Sequence, residues 1–446
     1  MTVRLFGTDG VRGRAGAPPL DVPTVRRLGA ALVRALPRAS DAHRLLIGRD
    51  TRESGGWIGR ELAHGARTAG GFVTSAGVIS TPAVAYLTRE SIYDAGVVIS
   101  ASHNPFEDNG IKVFSGAGEK FTERLEVEIE HVVADPSWAV PDGDAPPLED
   151  EDFSDRYLGH ARAALPGAEA LRGLRVAVDC AHGATSGLAP ALLADLGLDV
   201  VALGCSPDGR NINLGCGSTH PEPLARAVIE HGCRLGIAFD GDGDRAIFVD
   251  DRGRIVDGDA IMLLAARHLQ SLGRLKHGAI VATVMSNIGL EIALRQSGIG
   301  LVRCPVGDKH VMEEMIGRGL SLGGEQSGHI IFSEFLFTGD GLVTALNVLQ
   351  VMAATGRDLA DLASELTTYP QILLNVRVRT KRDLRDVPPV AAVVADVERR
   401  LGATGRLLVR YSGTEPLLRI MLEGQHQDQI RAWAEEIAAE VRTHLA

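Results

Sequence analysis

The apolar positions of this chain fall into short runs, and the runs recur in threes. A first set begins at "LLIG" (Leu45), continues through "GFVTSAGVIS" and ends at "GVVISASHNP". A second begins at "RVAVDCAHG" (Arg175), continues through "DVVALGCSPDG" and ends at "LGIAFDGDGDR". A third begins at "AIVATVMSN" (Ala279), continues through "GLVRCPVGD" and ends at "LSLGGEQSGH". Stretches of helical spacing separate the runs, so the pattern predicts three copies of a β-α-β-α-β unit. Runs this continuous predict strands buried on both faces, in α/β modules with mixed or mostly parallel sheets. Such sheets place ligands beyond the carboxyl ends of their strands, where each third run breaks into an unusual polar loop.

After "LASELTTYPQ" the pattern changes. "ILLNVRVR" reads as a strand, and a closing helix carries Ile430, Trp433, Ile437 and Val441 at helical spacing, with the loop "VRYSGTEPLLRIMLEG" between them. The Pro- and acid-rich segment "DPSWAVPDGDAPPLEDEDF" reads as a surface connection, and "DDRGRIVDGDA" marks the next join. The expected division is 1–150, 151–253, 254–367 and 368–446, the last a smaller α+β domain.

Composition adds limits. At 446 residues the chain is too long for one core, and a net charge of -11 argues against a nucleic-acid surface or an anionic membrane as main partner. The first residues, "MTVRLFGTDGVRG", offer no apolar leader segment, and no run reaches the length of a membrane span. Five cysteines without a CxxC pair read as reduced thiols, so the expected setting is the cytoplasm.

Candidate chemistry sits in the loops. "ASHNPF" brings Ser102 and His103 to the end of an apolar strand, although Asn104-Pro105 also starts turns and that plainer reading stays open here. "DGDGDR" sets Asp240, Asp242 and Asp244 at alternate positions with glycines between. Three carboxylates so close repel one another unless a cation sits among them, and an all-oxygen set suits Mg²⁺. An EF-hand is excluded, because Arg245 stands where its glycine belongs and Asp251 where its glutamate belongs. Arg245 suggests a bound anion. In "GEQSGH", Glu325, Ser327 and His329 suit sugar hydroxyls or an exposed polar turn. In "VRYSGTEPLLRI", Arg410, Ser412, Gly413, Thr414 and Arg419 could cradle a phosphate, though a hairpin with surface arginines fits too.

Taken in order, one per module, "SASHNPFEDNGIKVF", "DGDGDR", "GEQSGH" and "RYSGTEP" resemble the α-D-phosphohexomutase family along essentially the whole chain. "FGTDGVRG", "NINLGCGSTHPE" (Asn211 to Glu222) and the glutamine of "GEQSGH" are similar to the branch acting on hexosamine phosphates. The resemblance implies four domains around a central cleft, the first three alike. It implies that Ser102 carries a phosphoryl group in the resting enzyme, adding a charge of about -1.5 to -2. One Mg²⁺ would be held by Asp240, Asp242, Asp244 and a phosphoryl oxygen on Ser102. His103, Lys112, Arg12 and His329 would be the catalytic set, with Arg245, Lys309, Glu325, Ser327 and the fourth loop binding substrate.

The implied reaction converts glucosamine 6-phosphate into glucosamine 1-phosphate through a 1,6-bisphosphate, supplying UDP-N-acetylglucosamine synthesis. The implied partners are sugar phosphates, a kinase or bisphosphate donor that first phosphorylates Ser102, and a second copy in a homodimer. The chain departs from the branch at "VGDKHV", where Lys309 and His310 replace the usual Arg and Tyr, which bears on substrate contacts there. Three rivals stay open: a family member acting on mannose and glucose phosphates, a metal-dependent phosphatase, and a non-catalytic sugar-phosphate sensor.

Overall fold

The computed structural model describes residues 4–7, 9–36, 43–412 and 415–445. Its chain forms two units, one of 1–285 with 301–364, the other of 286–300 with 365–446.

In the first unit one strand order appears three times. In the first module, Arg44–Arg49 lies parallel to Phe72–Val78 on one side and to Ala95–Ile99 on the other. Ala95–Ile99 then pairs antiparallel with Asp108–Ser115, beyond which Gly10–Arg14 and Phe6–Gly7 extend the sheet. In the second module, Arg175–Asp179 is parallel to Asp199–Leu203 and Leu235–Phe239, and Ala246–Asp250 returns antiparallel beside the latter. In the third, Ala279–Thr283 lies between Gly300–Cys304 and Leu322–Gly324, followed by antiparallel Ile330–Phe332.

The sheets are mixed, within the expectation of mixed or mostly parallel α/β modules. Each set of three predicted strands is joined by a reversed fourth strand that the spacing did not single out as part of the unit. That reversal explains the polar loops. "SASHNPFE", "DGDGDR" and "EQSGH" all connect the third strand to its antiparallel neighbour. Every residue of Ala95–Ile99, Leu235–Phe239 and Leu322–Gly324 is buried, as strands covered on both faces require. A buried apolar strand thus ends where its chain must turn back, and the turn carries the polar side chains.

The second unit holds an antiparallel sheet of Gln371–Arg377, Leu417–Glu423 and Arg406–Tyr411. The helices Pro388–Leu401 and Gln427–Leu445 bury Val390, Val397, Ile430, Ile437 and Val441 against it. The helix Ile288–Gln296 belongs to this unit, with the Asn287 amide donating to Tyr369 O at 3.0 Å.

In the first unit the helix Gly341–Thr355 braces the second module's loop from behind: Gly341 N–H donates to Gly243 O at 3.0 Å. Asp340 caps this helix, its Oδ1 accepting from Val343 N–H and the Tyr157 hydroxyl, each at 2.9 Å. Burial lifts the Asp340 carboxyl to about 6, above the ordinary 3.8, even though those donors oppose it. Between roughly pH 4 and 6 the folded protein keeps a proton that the unfolded chain has lost, so stability falls as pH rises through that window. Asp340→Asn keeps the capping oxygen and cannot ionise. Its stability relative to the parent should improve by up to about 3 kcal/mol between pH 4 and pH 7, read from denaturant midpoints. A difference between the two proteins that is flat across that window would refute the assignment.

Candidate functional site

Ser102 is buried, and its φ of +53° lies in the left-handed region that residues other than glycine seldom adopt. Ser100 Oγ accepts from Ser102 N–H at 2.9 Å, which shapes the turn. Arg52 donates to the carbonyls of Ser102 at 3.2 Å and Asn104 at 2.6 Å, and is itself paired with the buried Asp50. Asn213 donates to the same two carbonyls. The hydroxyl so presented donates to Asp240 Oδ2 at 2.5 Å, with His103 Nδ1 3.2 Å from the same oxygen.

The carboxylates of Asp240, Asp242 and Asp244 are buried and offer oxygens within 4.8 Å of one another. The intervening glycines are forced by contact: a Cβ on Gly241 would meet Ser102 O at 2.6 Å, and Gly243 has φ +72°. Asp242 Oδ2 accepts from Thr81 Oγ1 at 2.6 Å and from Lys112 Nζ at 2.9 Å, and Asp244 Oδ2 accepts from Lys112 at 3.1 Å. The Oδ1 atoms of Asp242 and Asp244 are buried with no hydrogen-bond partner among the described residues. Oxygen-only donors with orphaned buried atoms fit a hard divalent cation. Asp244, Asp308 and His329 also lie close enough for a metal. There, Lys120 already occupies Asp308, and Gly339 N–H donates to His329 Nε2 at 3.0 Å.

Charge is tightly balanced around these groups. Burial together with Asp244 and Asp242 raises the Asp240 carboxyl well above its usual value. Burial would raise Asp244 too, but Lys112, His329 and Arg245 outweigh it and hold that carboxyl low. Burial lowers His103 to about 4, aided by Arg245 and Arg12, so its ring is neutral near pH 7. Burial also opposes the cationic form of His329, yet Asp244 and Asp308 overcome it and raise the ring. Its nitrogens stand 3.7 Å from Asp244 and 3.6 Å from Asp308. Asp9 joins Arg12 at 2.5 Å, Lys120 at 2.5 Å and Lys112 at 3.1 Å, and Lys120 passes on to Asp308.

The chain matches four successive profiles of one family: phosphoglucomutase/phosphomannomutase alpha/beta/alpha domain I at 3–139, domain II at 155–253, domain III at 257–369 and the C-terminal domain at 373–440. It belongs to the phosphoglucomutase/phosphomannomutase family. The chain is 47% identical over its full length to the phosphoglucosamine mutase of Syntrophotalea carbinolica, covering 98% of that protein. It is equally similar, at 47%, to the phosphoglucosamine mutase of Solibacter usitatus, with both chains covered completely. Among solved structures, a phosphoglucomutase/phosphomannomutase family protein of Burkholderia thailandensis superposes with TM-score 0.82 at 23% identity, over 99% of this chain and 98% of that one. The N-acetylphosphoglucosamine mutase of Aspergillus fumigatus, solved with GlcNAc-6P and magnesium, has TM-score 0.66 at 18% identity, covering 98% and 95%. The three alpha/beta/alpha domains and the C-terminal domain of the family agree with the fold class expected from the sequence.

Hydrogen bonds and ion pairs link Ser102 to His103 and Asp240, and Lys112 to Asp242, Asp244 and Asp9, with Arg12 on Asp9 and His329 beside Asp244; Arg245 joins the two groups, its N–H donating to Asp240 Oδ1 and its Nε lying near Asp244. Arg245 points Nε to within 3.8 Å of Asp244 Oδ1, its Nε lacking a hydrogen-bond partner among the described residues. Glu325 Oε1 accepts from Gly307 N–H at 3.1 Å, and Ser327 is exposed beside it. Lys309 turns instead to Glu126 at 2.8 Å. In the second unit, Arg410 and Arg419 face each other across the hairpin, Ser412 is buried, and Arg419 meets Glu415 at 3.2 Å. Gly413 and Thr414 lie outside the described residues. Sequence reasoning missed Asp9, Arg52, Thr81, Lys120, Asn213 and Asp308. Of these, Asp9, Asn213 and Asp308 stand in distinctive stretches, "FGTDGVRG", "NINLGCG" and "VGDKHV", which are the signal that could have found them.

Lys120 carries a specific expectation. Lys120→Met removes the cation shared by half-buried Asp9, which keeps Arg12 and Lys112, and buried Asp308, and should destabilise the protein by roughly 1 to 3 kcal/mol in urea unfolding. A loss below about 1 kcal/mol would place the pair among solvent-screened surface bridges.

Proposed function

We propose that the chain interconverts glucosamine 6-phosphate and glucosamine 1-phosphate through a phosphorylated Ser102 and a 1,6-bisphosphate. The observation that carries this reading is the 2.5 Å approach of Ser102 Oγ to Asp240 Oδ2, above carboxylates that leave two buried oxygens unpaired. Relatives named phosphoglucosamine mutase, alike over the whole length, support the choice of sugar.

In the first half-reaction the bond from phosphorus to Ser102 Oγ breaks, a bond to O1 of the sugar forms, and the O1 proton passes to a base. After the bisphosphate turns over, the 6-phosphoryl group returns to Ser102 Oγ and O6 takes up a proton. No phosphate is consumed. Asp240, Asp242 and Asp244 would hold Mg²⁺, which when bound offsets the phosphoryl charge and stabilises what develops in transfer. Lys112, Arg12 and Arg245 bring cations to the same place. His103, lowered by burial, and His329, raised by Asp244 and Asp308 against its burial, are proposed as the two halves of an acid–base couple. Arg410, Ser412 and Arg419 are the proposed phosphate-binding groups of the second unit, together with Gly413 and Thr414. Glu325 and Ser327 are proposed for sugar hydroxyls. Lys309, spent on Glu126, would reach substrate only by exchanging that partner. The product would feed UDP-N-acetylglucosamine synthesis, and a kinase or bisphosphate donor would first load Ser102.

A coupled assay comparing glucosamine, glucose and mannose 6-phosphates tests the substrate, with glucosamine expected to give the highest kcat/KM. Ser102→Ala should abolish turnover while the protein stays folded, and intact mass should show one phosphate on the parent and none on the variant. Turnover at the parental rate by Ser102→Ala would end the mechanism. Removal of divalent cations with EDTA should cut the rate by orders of magnitude, with recovery on adding Mg²⁺. A rate indifferent to EDTA would overturn the three-aspartate site.

A further inference from the structure

The carbonyl oxygens of Ser102 and Asn104 are each gripped from two sides. From the serine's own module, Arg52 Nη2 donates to them at 3.2 and 2.6 Å. From the second module, Asn213 Nδ2 donates to them at 2.9 and 3.1 Å. Asn213 is buried at φ +59°, a conformation that asparagine tolerates better than most residues, and its N–H donates to Ala181 O at 2.9 Å. The aspartate loop closes the remaining side, for a Cβ on Gly241 would meet Ser102 O at 2.6 Å and Asn213 Nδ2 at 2.9 Å.

Arg52 fixes the serine loop to its own sheet. It carries no information about where the aspartates stand, because they belong to another module. Among hydrogen bonds from described residues to the backbone of Ser102 and Asn104, those of Asn213 come from the module that holds Asp240, Asp242 and Asp244. A left-handed serine persists only where its surroundings over-determine it, and transfer of a phosphoryl group depends chiefly on placement. We infer that Asn213 is a positioning residue for the reaction: by bridging the carbonyls of Ser102 and Asn104 it sets the height of the serine hydroxyl over the three carboxylates. The inference rests on the phosphoserine reading of Ser102.

Two substitutions separate this role from a purely conformational one. Asn213→Gly and Asn213→Asp both accept a positive φ, but glycine lacks the amide and aspartate turns a carboxylate toward the two carbonyls. With glucosamine 6-phosphate as substrate, kcat should fall about tenfold for glycine, while KM stays within about twofold and the melting midpoint within a few degrees; for aspartate kcat should fall further and the melting midpoint should drop as well, because its carboxylate is buried against two carbonyls. If backbone conformation alone mattered, both variants would keep the parental kcat, and that result overturns the inference. A raised KM with unchanged kcat also overturns it, since Asn213 would then act on substrate binding. Ser102→Ala, run in parallel, reports on the underlying reading. Turnover surviving in that variant removes the reading itself, whereas its loss together with a parental kcat in Asn213→Gly removes only the role of Asn213.

Discussion

Three carboxylates out of water within 4.8 Å of one another are the constraint on which the first unit is organised. Burying even one carboxylate without a partner costs several kcal/mol, so the set exists only because cations are brought to it. Lys112 reaches it from the first module's strand Asp108–Ser115 and Arg245 from the aspartate loop itself, while the His329 ring approaches from the third module. Asp9, Lys120 and Asp308 continue the alternation outward. The groups that neutralise the site are therefore also the ties between modules, and the chemistry and the cohesion of this unit share the same side chains.

The repeat and the position of the loops were legible because both depend on local patterning. A strand buried on both faces must be apolar throughout, and Ala95–Ile99 and Leu235–Phe239 announce themselves in that way. The closing helix was legible for the same reason, since Ile430, Ile437 and Val441 recur at its period. The aspartates were legible because glycines alternating with acids mark a loop able to wrap a cation, and Ser102 because its neighbours resemble a known family.

What escaped was non-local. Asp9 and Lys120 are separated by 111 residues and Lys120 and Asp308 by 188, and nothing in the periodicity of any segment links them. Arg52 follows a strand and looks like an ordinary surface arginine, yet its pair with Asp50 is wholly buried. Lys309 has a partner that its neighbours in sequence do not announce: Glu126, on a helix of the first module, lies 2.8 Å from its Nζ. The reversed fourth strands were not assigned to the repeated units, because the periodicity that marks a strand does not reveal which neighbour it will pair with, or in which direction.

The threefold strand order has a consequence for how the chemistry is divided. A loop pinned at both ends by a parallel strand and its reversed neighbour is a fixed aperture whose side chains can differ while the sheet beneath stays the same. Three such apertures on one chain carry three different tools: one presents a hydroxyl, another a cluster of acids, the third an imidazole with a glutamate. One aperture of this size holds only one of these sets, so the repeat is what gives a multi-part reaction room on a single chain.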